Sequence, residues 1–146
     1  MKRVFLVAIL TIAMPVLAAD NWVGTWKLNL AKSKYSPGPA PKSQTTRLEG
    51  VTGGLKETGD RVNADNSTTH WVVTAKFDGK EYAVTGDPDR DVVIVKKVDD
   101  NTLEVTNKKG GKVTTSMRIV VAKDGKSRTN VVTSENVHNT LFFDRQ

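Results

Sequence analysis

The chain has 146 residues, 38% hydrophobic and 26% charged, with a formal net charge of +6 and no cysteine. Such a length and composition describe one ordinary globular domain and exclude a multidomain assembly or a disordered tail. Without cysteine there is no disulfide framework, no thiol nucleophile, no cysteine zinc site and no lipidated cysteine.

In chain order, the first residues read as a secretory signal. Lys2 and Arg3 precede an apolar run over residues 4 to 14, then Pro15 and the small residues Ala18 and Ala19, where a signal peptidase cuts. The apolar run is well short of the roughly 20 residues needed to span a bilayer. The expected organisation is a signal peptide over residues 1–19 and a single β-barrel domain over 20–146, in a periplasmic or secreted protein. Removing Lys2 and Arg3 lowers the formal net charge to +4. The remaining chain of about 127 residues can bury about two thirds of the surface its unfolded form exposes, enough for one core without staples. An exported protein without disulfides fits a bacterial envelope better than a eukaryotic secretory route.

The first predicted strand spans residues 22 to 30 and places Trp22, Trp26, Leu28 and Leu30 on one face. Ala31 to Lys34 suit a helical turn. Pro37, Pro39 and Pro41 then forbid regular structure and make the one long connection, expected to lie over an end or flank of the fold. From Lys42 onward, β-rich runs near 43–49, 53–59, 69–78, 80–85, 91–98, 101–108, 112–122, 126–134 and 137–144 are separated by turn signals at meander spacing. Asp78-Gly79, Gly110-Gly111 and Asp124-Gly125 suit tight hairpins, Asp99-Asp100-Asn101 a polar turn, and Gly86-Asp87-Pro88-Asp89 a loop. No helix of ten or more residues alternates with the strands, which excludes a parallel βαβ architecture.

Each run has one apolar face. Trp71, Val73, Ala75 and Phe77 share one, as do Leu103 and Val105, then Val113, Met117, Ile119 and Val121, then Val137, Leu141 and Phe143. One face per strand implies one interior. The expected fold class is all-β, an antiparallel up-and-down meander of about eight to ten strands closed into a barrel, with a two-sheet sandwich sharing the same local pattern.

The stretch Val23-Gly24-Thr25-Trp26-Lys27-Leu28 resembles the opening strand of fatty-acid-binding proteins and the Gly-x-Trp signature of lipocalins, where the tryptophan closes the bottom of the barrel. The chain is also similar to a group of uncharacterised exported bacterial proteins through residues 24 to 29, 36 to 41 and 107 to 112. The calycin resemblance implies a lipocalin-like barrel with a ligand inside and an arginine stacked on the first-strand tryptophan. Arg128 and Arg145 are both candidates for that stack. Two family features are missing: the proline-rich segment cannot form a helical portal lid, and the C-terminus lacks the Arg-x-Tyr pair that binds a carboxylate.

Charge and chemistry narrow the function. Residues 96 to 128 carry nine basic against four acidic side chains, a band that reads as a solvated face and, as the alternative, as a contact for an anionic envelope surface. Nucleic acid is not expected, since few aromatics interleave with these cations. His70 and His138 fall on outward positions without metal-ligand spacing, so no metal site is expected. No Gly-x-Ser-x-Gly elbow is present, and Asp87, Asp89 and Asp91 lack the following glutamate of a calcium loop. The expectation is therefore a non-enzymatic, cofactor-free monomer holding a small hydrophobic or amphipathic molecule, with Trp26, Trp71, Phe77, Met117, Arg128 and Phe143 as interior ligand-binding residues. The alternative is an interaction module whose barrel is filled by its own side chains and which acts on another envelope protein or an anionic polymer.

Overall fold

The computed structural model describes residues 21–146; the signal segment inferred over 1–19 lies outside the described residues. Ten strands follow one another: β1 Gly24–Leu28, β2 Ser43–Val51, β3 Gly54–Val62, β4 Thr68–Lys76, β5 Asp78–Thr85, β6 Val92–Asp99, β7 Thr102–Lys109, β8 Lys112–Val121, β9 Ser127–Thr133 and β10 His138–Arg145. Each pairs antiparallel with its sequence neighbours, and β1 closes on β10 through Trp26↔Arg145 and Leu28↔Phe143. The sheet is a closed barrel, and it has no free edge to protect. This up-and-down barrel is compatible with the calycin resemblance and excludes the sandwich.

Local chemistry explains the connections. Thr52 and Gly53 link β2 to β3, and Gly110-Gly111 link β7 to β8 with both glycines at positive φ (56° and 78°), the conformation a two-residue hairpin turn requires. Asp124-Gly125 makes the expected tight turn between β8 and β9, with the Gly125 N–H donating to the Ala122 carbonyl at 2.8 Å and Gly125 at φ 69°. One expectation is corrected: Asp78-Gly79 opens β5 beside a register shift instead of forming the hairpin corner. There β4 and β5 diverge and pair only through Val72↔Thr85 and Val73↔Val84.

In an up-and-down barrel, alternate connections lie at alternate ends. The end holding the 52–53, 77, 100–101 and 122–126 connections is packed shut. Trp22, Trp26 and Phe143 are completely buried there, Trp22 lies against Phe77 with ring centroids 5.9 Å apart, and Trp26 Nε1 donates to the Trp22 carbonyl at 2.8 Å. Arg145 seals the closure by donating to the backbone carbonyls of Asn21, Val23 and Gly125 while its guanidinium covers the Trp26 ring at 4.3 Å. Gly24 is at φ +141°, and a Cβ there would stand 2.5 Å from Arg145 Nη1, so glycine is what lets the guanidinium lie flat across the first strand.

Inward positions grade from apolar to polar along the barrel axis. On β7 they read Leu103, Val105, Asn107; on β8 Val121, Ile119, Met117, Thr115; on β2 Leu48, Thr46, Gln44. Only the closed half is therefore a conventional core. Leu30, assigned to the inner face of the first strand, begins a 3-10 turn over Leu30–Lys32 and is exposed, because the Asn29 side chain caps that turn and the chain leaves the sheet. Val113 is 61% exposed, since the register shift at Asn107 and Lys108 adds one residue to β8 and turns Val113 to the outer face opposite Lys108. The outer wall carries Lys27, Arg47, Lys56, Lys76, Glu104 and Arg118 along its strands, the reverse of the apolar band of a membrane barrel.

Candidate functional site

The opposite end is open. The 29–42, 63–67, 86–91 and 134–137 connections surround a cavity of about 710 Å³ that enters the barrel between them. The proline-rich segment lies across this mouth, with Tyr35, Pro37, Pro39 and Pro41 in its lining, which is where a long irregular connection over one end was expected. Asn63, Asp65 and Ser67 from the β3–β4 loop and Asp87, Pro88 and Asp89 from the β5–β6 loop complete the rim. Below it the wall is made by Gln44, Glu57, Trp71, Arg90, Asn107, Thr115, Met117, Asn130 and Leu141, and Thr46 and Arg128 lie deepest, against the closed half.

Of the six interior residues expected to bind ligand, Trp71, Met117 and Arg128 line this cavity. Trp26, Phe77 and Phe143 do not; they pack the closed end, because their strand positions lie beyond the level at which the inward side chains change from apolar to polar. The cavity lining is accordingly mixed, with Glu57, Arg90, Asn107 and Asn130 set among Trp71, Met117, Val132 and Leu141. His70 and His138 are exposed on the outer wall as anticipated, and His70 Nδ1 meets Asp60 Oδ1 at 2.7 Å. Asp87, Asp89 and Asp91 diverge to different partners, Arg90, Arg61 and the Gly110 amide.

One wall is organised around Trp71. Its cross-strand neighbour on β3 is Gly59, where a Cβ would fall 2.0 Å from Trp71 Cζ2, so the indole lies directly over the glycine. Trp71 Nε1 donates to Glu57, and the guanidinium carbons of Arg61 and Arg90 each stand 5.8 Å from the ring centroid. Arg90 donates to Glu57 Oε1 (3.1 Å), Asp87 Oδ2 (3.0 Å) and Asn107 Oδ1 (3.1 Å), with only 12% of its side chain exposed. Burial alone would push its guanidinium down, but Glu57 and Asp87 outweigh that and hold it above the ordinary range. This network pins the 86–91 loop to the cavity wall.

Arg128 is different. It is 2% exposed, its guanidinium lies 5.3 Å from the Trp26 ring and 4.5 Å from Phe143, and its Nη2 donates to Thr46 Oγ1 at 2.6 Å. Nε and Nη1 have no partner among the protein's groups, and among the described residues no carboxylate lies within ion-pair distance of it. Burial pushes its pKa down to about 10, with the charge of Glu57 opposing and that of Arg145 adding; it remains a cation at neutral pH. Beside it Asn130, 5% exposed, uses its amide nitrogen on Met117 Sδ and leaves Oδ1 unpartnered. The alternative between Arg128 and Arg145 for the tryptophan stack is thus resolved as both. Arg145 seals the closed end and Arg128 lies at the floor of the cavity. Arg128, counted by position in the 96–128 basic band and also expected inside the barrel, is an interior residue.

Tyr35, Arg61, Glu57, Arg90, Asn107 and Asn130 were not anticipated. Asn107 and Asn130 are the inward continuation of apolar alternation on β7 and of Arg128 on β9, a signal present in the pattern. Arg90 comes from a loop, and nothing in its neighbours' spacing points inward. No protein-family model matches the sequence, and comparison with curated proteins finds no match.

Proposed function

We propose that this protein is an exported, lipocalin-like binding barrel that holds one small amphipathic organic molecule in the open half of its interior. The observation that supports the reading is the 710 Å³ cavity, entered from one end, closed at the other by a packed aromatic core, and walled by convergent polar side chains around the flat face of Trp71. Its size falls within the range of small-molecule sites, and a few fixed polar groups beside aromatic and apolar surface are what such sites use to orient a ligand. A barrel filled by its own side chains, as the interaction-module alternative requires, gains no support from an interior of this kind. Of the expected hydrophobic or amphipathic ligands, the mixed lining favours the amphipathic one. Export is part of the proposal and rests on the Lys2-Arg3 start, the short apolar run and Ala18-Ala19.

Native mass spectrometry of the protein purified without detergent, followed by organic extraction, tests this reading. The expected result is a 1:1 adduct that disappears in Thr115→Trp, which fills the cavity from β8. An adduct retained in that folded variant would overturn it, as would wild-type protein that neither carries an adduct nor binds amphipathic fluorescent probes.

A further inference from the structure

We propose that the floor of the cavity is an anion site, in which Arg128 with Asn130 beside it receives the single negatively charged group of an amphipathic organic monoanion inserted head first. The inference rests on the ligand-binding reading above and adds the class and orientation of the ligand.

The asymmetry among the three arginines in the cavity carries it. Arg61 is paired with Asp89 at 3.2 Å, and Arg90 with Glu57 and Asp87. Arg128, the most deeply buried of the three, has no carboxylate partner, and two of its three guanidinium nitrogens have no hydrogen-bond partner in the protein. A buried charge is costly unless paired, and a guanidinium presents donors in a fixed fork suited to a planar or tetrahedral oxyanion. Structural work at this end is already done by Arg145, which makes the backbone bonds that close the barrel and stacks closer to Trp26 than Arg128 does. A second guanidinium is not needed for closure.

The rest of the cavity sets the remainder of the ligand. Above the floor, Trp71, Met117 and Leu141 offer an aromatic and apolar wall for the body of the molecule. At the rim, Asp65 and Asp89 are exposed carboxylates, and the Ser67 hydroxyl and amide hold Asp65 below the usual carboxylate range. A second negative charge at the outer end of a ligand meets like charge there, so one anionic head and a neutral tail is the combination that fits.

The test compares 8-anilinonaphthalene-1-sulfonate with N-phenyl-1-naphthylamine, the same ring system without the sulfonate. Wild-type protein is expected to bind the anion about tenfold or more tightly than its neutral analogue, as one charge-assisted hydrogen bond would give. Arg128→Gln should abolish that preference while still binding the neutral probe, and Arg128→Lys should restore part of it. Equal affinity for the two probes in the wild type, or a preference that survives in Arg128→Gln, would overturn the anion site and leave the binding barrel standing. Folded wild-type protein that takes up neither probe would overturn both. If Arg128→Gln does not fold, the Arg128 guanidinium NMR signals of the wild type decide: they should shift on adding the sulfonate and not the neutral analogue, and unmoved signals would refute the proposal.

Discussion

Replacing Trp26 by alanine removes the residue on which the closed end is built, and its cost can be worked from the contacts. The side chain is completely buried. An aromatic of this kind buries 150–250 Å², which at about 25 cal/mol per Å² is about 4–6 kcal/mol. The indole donor to the Trp22 carbonyl is lost with it, worth about 1 kcal/mol, as are two guanidinium stacks, from Arg128 and Arg145. Partial collapse of Phe143 and Leu28 into the space recovers some of this, so the expected loss is roughly 3–5 kcal/mol. A domain of this size has about 5–15 kcal/mol in all, so the variant should be folded but marginal. Urea unfolding followed through the remaining Trp22 and Trp71 emission measures it. A loss below about 1 kcal/mol would mean that Trp26 does not pack the barrel end.

Three further outcomes follow from other parts of the barrel. Gly59→Ala pushes a methyl into the Trp71 ring and should cost about 1–3 kcal/mol by overpacking, with a changed Trp71 emission; an unchanged melting temperature and spectrum would refute the contact. Arg90→Ala leaves the half-buried Glu57 and Asp87 carboxylates without their cation and should destabilise by about 2 kcal/mol, with new proteolytic cleavage in the 86–91 loop; resistance equal to wild type would show that the network does not hold that loop. Tyr35, pushed up to about 12 by burial with Arg61 partly opposing, should remain protonated after an ordinary phenol has ionised, which absorbance at 295 nm resolves in Tyr82→Phe, where Tyr35 is the one tyrosine left. The folded state keeps that proton to higher pH than the unfolded state. Its contribution is therefore intact below about pH 10 and is lost as pH rises toward 12. Arg128 acts with the opposite sign in the same window, so the difference between wild type and Tyr35→Phe isolates the effect; identical stability slopes would refute it.

The barrel was legible because its closed half obeys simple alternation. Val73 and Ala75, Leu103 and Val105, and Ile119 and Val121 each mark an inner face, and glycine pairs at positions such as 110–111 mark the turns. The open half was not, because there the inner face turns polar and looks like surface. Arg128 lies between Ser127 and Thr129 on a strand with no apolar alternation, so the pattern alone counts it in the basic band, and its place among the interior residues rests on the calycin resemblance. Only the register that brings β9 beside Phe143, through Arg128↔Phe143, turns it inward toward Trp26. For the same reason alternation places Trp26, Phe77 and Phe143 in the interior without showing that they lie at the closed end, away from the cavity. Packing gathers these three at the end that must be dry, while Trp71 and Tyr35 line the cavity. Long-range pairs such as Arg90 with Glu57, 33 residues apart, carry no local signature at all.

Amide chemical-shift mapping of the ¹⁵N-labelled protein titrated with 8-anilinonaphthalene-1-sulfonate tests the open, receptive interior most directly. The expected perturbations run from the rim at Tyr35, Asn63 and Asp87, down the wall at Trp71, Asn107 and Met117, to Arg128 and Asn130 at the floor, with the outer-wall positions Lys56 and Arg118 unmoved. Shifts confined to the outer wall or the basic hairpins, with the inward positions silent, would contradict a ligand-binding cavity in this barrel.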